Sequence, residues 1–167
     1  MSTPVTLRSL ASMPAHARVW VYKSARAFTP AERAAINEQG AAFVAGWSAH
    51  DLPLDAWAGT VGDHFLVIAV DQEQAAASGC GIDKSVRFVQ ELERGLGLRL
   101  TDRMVVLYEA GDQVKAGTVE ELPALLERGA LTGDTLVYDD LVATKGDLDA
   151  RFRVPLRATW MARYLRS

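Results

Sequence analysis

The sequence predicts an α+β protein: a ferredoxin-like βαββαβ core with a C-terminal α-β-α extension. Three observations predict it. β-Branched and apolar runs alternate with segments whose apolar residues recur at helical spacing. The first six of these elements run strand, helix, strand, strand, helix, strand, the order of the split βαβ arrangement, in which an antiparallel four-stranded sheet carries both helices on one face. The chain, at 167 residues, has the length of one domain.

Each element has its own signal. Residues 1–17 hold Pro4, Pro14 and no periodic pattern, and read as a loosely held arm ahead of a single domain over 18–167. Val19-Trp20-Val21-Tyr22 is a first strand by its β-branched and aromatic content. Thr29-Pro30-Ala31-Glu32 starts a helix, with Thr29 as N-cap, Pro30 at the first helical position and Glu32 completing a capping box. Ile36, Phe43, Val44 and Trp47 fall on one face of that helix, which ends near His50 ahead of Pro53. Residues 54–61 and 64–70 form a hairpin about Gly62-Asp63, and the second run is apolar enough to be central. A second helix is expected from about Asp83, with Val86, Val89, Leu92 and Leu96 as its stripe and Gly95 and Gly97 as its stop. Residues 104–108 make the fourth strand, and the turn Ala110-Gly111-Asp112 closes a core over 18–112.

The extension over 113–167 begins with a second capping box, Thr118 to Glu121, and a third helix that stops at Gly129. A fifth strand is expected over 135–142, and Leu156, Trp160 and Tyr164, four apart, predict a closing helix over 154–165. The segment VEELPALLERGALTGDTLVY, 119–138, resembles the helix-turn-strand portion of GYF-type adaptor domains. It lacks their aromatic signature for proline-rich peptides and reads as a shared packing unit.

Composition narrows the function classes. Hydrophobic residues make up 49% and charged residues 23%, a globular balance. No apolar run approaches the ~18–20 residues of a membrane span and no secretory leader opens the chain, so no membrane role and a cytoplasmic location are expected. Cys80 is the only cysteine, which excludes an internal disulfide and a four-cysteine zinc site. A net charge of −3 argues against nucleic acid as a partner. The arginines at 151, 153, 157, 163 and 166 read as a solvated amphipathic face.

Chemistry is densest at Ser78-Gly79-Cys80-Gly81-Ile82-Asp83-Lys84-Ser85, between a central strand and a helix start. Glycines there free the backbone, and unpaired N–H groups at a helix start attract an anion and lower a thiol's pKa from about 8.5. Gly79, Gly81, Ile82, Asp83 and Ser85 are the candidate anion-binding positions, with Ser78 beside them. A nucleophilic thiol needs a base; His50 is the first candidate and His64 the second, with His16 assigned to the arm. Structural readings stand beside these: Cys80 as an apolar filler, His50 held by a helix C-terminus, Asp83 as a cap. Asp71, which ends the apolar strand, and Trp47 complete the candidates. No cofactor is implied and no metal site is assigned. The Walker A loop fails because Asp83-Lys84-Ser85 stands where Gly-Lys-Ser/Thr is required. The cysteine phosphatase loop fails because six residues, not five, separate Cys80 from Arg87.

VWVY, the Phe-Thr-Pro helix start, Trp47-x-x-His50, AVD at 69–71, SGC-x-ID-x-SV at 78–86 and DTLVYDDLV at 134–142 together resemble a family of uncharacterised bacterial proteins that carry the label ABC transporter ATPase. The resemblance covers nearly the whole chain from Arg18 to Leu165 and implies Trp47, His50, Ser78, Gly79, Cys80, Ile82, Asp83 and Ser85 as family positions, with Lys84 a departure. The label implies nucleotide hydrolysis, but Walker A, Walker B and signature motifs are absent. Two function classes stay open: a thiol-centred site for a small anionic or acyl ligand, with Cys80 as nucleophile and His50 as base, or a non-catalytic protein-binding or homodimerising module.

Overall fold

The computed structural model describes residues 9–49, 52–72 and 79–165. It is an α+β protein, as expected. Strand β1 (Arg18–Lys23) leads to helix α1 (Pro30–Ala45), then to a two-residue ladder of β2 (Ser48–Ala49) with β3 (Leu52–Pro53). The hairpin of β4 (Asp55–Val61) and β5 (Phe65–Asp71) follows, turning at Gly62 with φ +62°. Helix α2 (Gly79–Leu96) precedes β6 (Val105–Ala110) and β7 (Gln113–Thr118). The chain ends with α3 (Leu122–Glu127), β8 (Leu136–Tyr138), α4 (Lys145–Arg151), β9 (Arg153–Pro155) and two 3₁₀ turns, Leu156–Ala158 and Trp160–Tyr164.

Both capping boxes form. Thr29 Oγ1 accepts from Glu32 N while Glu32 accepts from Thr29 N, and Thr118 and Glu121 repeat the exchange. Between them these bonds satisfy helix-end donors that would otherwise have no partner.

Two antiparallel sheets organise the core, in the orders β1-β5-β4 and β7-β6-β8-β9. The strand expected to be fourth in a single sheet, β6, belongs to the second one. Both of its edges are occupied, by β7 over six residue pairs and by β8 at Tyr108↔Val137, leaving none for β1. The outer edge of β1 is met instead by two loops: Val19 N donates to Ala143 O and Lys23 N to Leu100 O.

Strand alternation sorts the apolar side chains into three layers of contact. Leu66, Ile68 and Val70 of β5 face α1 and α2, meeting Ile36, Val44, Val89 and Leu92. Phe65, Val67 and Ala69 face the second sheet, meeting Val105, Leu107, Leu148 and Phe152. The far side of that sheet, with Val106, Tyr108 and Val137, is covered by Leu122, Leu125, Leu156 and Met161. The order is thus helices, sheet, sheet, helix and turns, and β5 is buried at every residue.

Several local expectations are corrected. Residues 9–17 are packed chain: Met13 and Ala17 are buried between the sheets. β7 is an edge strand with little apolar signal, created by the hairpin turn at Gly111, φ +62°. The strand expected over 135–142 stops at Tyr138: Asp139 N makes one last bond in the β8–β9 register, to Phe152 O, and Asp139 Oδ1 then accepts from Leu141 N in a turn. Helix α4, with Thr144 as its N-cap, occupies chain that carried no assignment. The closing helix is broken into 3₁₀ turns by Thr159, whose extended backbone and side-chain cap to Met161 N interrupt it. Its apolar residues still pack, Leu156 and Met161 fully.

Candidate functional site

Helix α2 starts at Gly79, four residues earlier than the sequence predicts. Gly79, Cys80 and Gly81 therefore form its first turn instead of a loop ahead of it. Asp83 is exposed and lies a full turn inside the helix, so it is not the cap. Ile82 is half-buried, and buried Ser85 turns its hydroxyl onto its own helix, donating to Ile82 O at 2.6 Å. No acidic residue sits in the first turn, so the helix's own side chains leave its N-terminal partial charge uncompensated.

The opposing wall comes from the end of α1. Trp47, 2% exposed, donates its indole Nε1–H to Gly81 O at 3.0 Å, fastening the chain after α1 to the first turn of α2. Its carbonyl accepts from Leu54 N at 3.0 Å, and the chain that follows pairs as the short ladder Ser48↔Pro53, Ala49↔Leu52. The backbone of β2 lies against α2. Trp47 and β2 are thus held beside the first turn of α2. His50, Ser78 and the side chain of Cys80 lie outside the described residues.

The other candidates go elsewhere. His64 is buried at the start of β5, at the opposite end of the strand from Asp71 and so about 20 Å away at the usual rise per residue. Its Nδ1 lies 2.9 Å from Ser24 O. Asp71 shares the face of Phe65, Val67 and Ala69, which looks away from α2, and its Oδ1 lies 3.2 Å from His16 Nε2. That pairing, 55 residues apart, carries no sequence signal. Among the described residues no three His, Cys, Asp or Glu side chains gather as a metal-binding set, and no helix is long and apolar enough to cross a membrane.

No family model, curated protein or solved structure matches this chain.

A feature beyond the sequence candidates lies on the same helix. With α2 starting at Gly79, positions 80, 84, 87 and 91 follow at intervals of four, three and four, one stripe of the helix surface. Lys84, Arg87 and Glu91 of that stripe line an open groove against Gln39, Ala42 and Phe43 of α1. The spacing is legible in the sequence only once the helix is begun early enough to include position 80.

Proposed function

We propose that the first turn of α2 and the chain after α1 form a small-molecule site in which Cys80 is the reacting thiol. His50 takes the Cys80 proton, Sγ bonds to the acyl carbon of the substrate, and the proton passes to the leaving group. The N–H groups of the first turn face the negative charge that develops on the acyl oxygen. One observation carries this reading: the buried Trp47 Nε1–H bond to Gly81 O, which fixes the segment that leads to His50 against the turn that contains Cys80. Kinship with the uncharacterised bacterial family belongs to the same proposal, since Trp47 and the 78–86 motif are its shared positions; nucleotide hydrolysis does not.

The test is alkylation of the native protein by iodoacetamide. Cys80 is expected to react in the folded state, as a thiol at a helix start does when its pKa falls below the free value of about 8.5. Labelling only after denaturation makes the thiol a packing residue and favours the non-catalytic binding or dimerising module instead.

A further inference from the structure

We propose that the groove between α1 and α2 binds a small amphipathic anion, an aryl or short acyl carboxylate. The groove is shallow and open, offers about 430 Å³ and is lined by Gln39, Ala42, Phe43, Lys84, Arg87, Phe88 and Glu91. That volume lies within the ~300–1,000 Å³ of small-ligand sites. Phe43 and Phe88 supply its apolar part, one ring on each helix, stacked at 4.6 Å between centroids and 3° between planes. Phe88 is buried and Phe43 also packs on Trp47, so a ligand's ring or short chain meets the half-buried part of Phe43 that lines the groove.

The charge pattern selects the sign. Lys84 and Arg87 stand one turn apart on the groove wall, both exposed, and neither makes a hydrogen bond or ion pair with any described residue. Some other arginines are ion-paired, Arg26 with Glu32, Arg151 with Asp147, Arg153 with Glu109 and Arg157 with Asp134. Glu91, four residues after Arg87 and well placed for an ion pair, does not make one either. Two adjacent unpaired cations beside an aromatic pair suit a carboxylate with an apolar body, bound in bidentate fashion by the guanidinium with the ammonium as second partner. Position 80 precedes Lys84 by about one turn on the same helix. The binding step itself does not require that thiol.

Titration of the full chain with phenylpropionate, followed by NMR shifts of α1 and α2 amides, tests the proposal, with phenylpropionamide as the neutral control. Saturable binding with a Kd below about 1 mM, lost for the amide and weakened by about tenfold in Lys84→Gln/Arg87→Gln, is the expected result. Glu91→Gln, which removes the nearby negative charge, should tighten it. Equal affinity for acid and amide, retained affinity in the double variant, or no saturation overturns the proposal, as does burial of the groove by self-association at rising protein concentration. The substituted residues are exposed, so a folding defect is not expected to obscure the result. Titration reads binding and alkylation reads thiol reactivity, so failure of this inference and failure of the thiol reading are told apart.

Discussion

At the scale of residues, short-range polar bonds lower the titration of individual carboxyls. The Glu32 carboxyl is held at about 2, down from 4.5, first by its hydrogen bonds to Arg26 and then by the Thr29 N–H of the capping box. Arg153 lowers Glu109 and Arg151 lowers Asp147 in the same way. A carboxyl whose folded pKa is depressed stabilises the fold above its unfolded pKa, and that contribution is lost as the pH falls through the folded value. For Glu32 the window runs from 4.5 down to about 2. Glu32→Gln is therefore expected to flatten the fall in stability across that window, measured by urea denaturation at successive pH values. An unchanged acid limb would show the box to be electrostatically idle. Both boxes are readable from sequence because each needs only residues three apart. The pairing of His16 with Asp71 is not, because it depends on where a remote segment is packed.

At the scale of elements, helices with a cap and a stripe were legible, and edges were not. The capping box and stripe of α1 give its start and buried face, but its close seat on β4 depends on one missing side chain. A Cβ at Gly40 would lie 2.5 Å from the carbonyl oxygen of Ala58. Gly40→Ala should destabilise the protein by about 1–3 kcal/mol through overpacking, against the ~1 kcal/mol that alanine brings to a helix interior. A more stable variant in chemical denaturation would mean that α1 is not seated as described. β7, with half of its residues exposed, shows how an element can be specified by its turn and its partner while its own pattern stays silent. The early start of α2 has a similar cause. Its first turn holds two glycines and a cysteine, all poor helix formers, so intrinsic preference places the start later than tertiary contacts do. That shift of four residues brings Cys80 into the helix and onto the stripe of Lys84 and Arg87.

At the scale of the whole molecule, the sequence shows which segments are strands but not how they divide between sheets, since each strand has two edges and pairing is decided by partners far along the chain. Val67 and Ile68 of β5 are both fully buried because its two faces meet different layers, which its unbroken apolar run announces. The second sheet was hidden because β7 and β9 are short or exposed. The long-range packing matters to function at one place, where Trp47 and Gly81, 34 residues apart, are joined by a buried hydrogen bond. The candidate residues on either side were legible, and the bond that joins their segments was not. The proposed function requires Cys80 to have a base within reach at the start of α2. It is tested most directly by the pH dependence of the Cys80 thiolate, read by ultraviolet absorbance in the native protein and in His50→Gln. The account predicts an apparent pKa well below about 8.5 in the native protein and a changed value in the variant. A pKa at or above the free value, the same in both proteins, would contradict it.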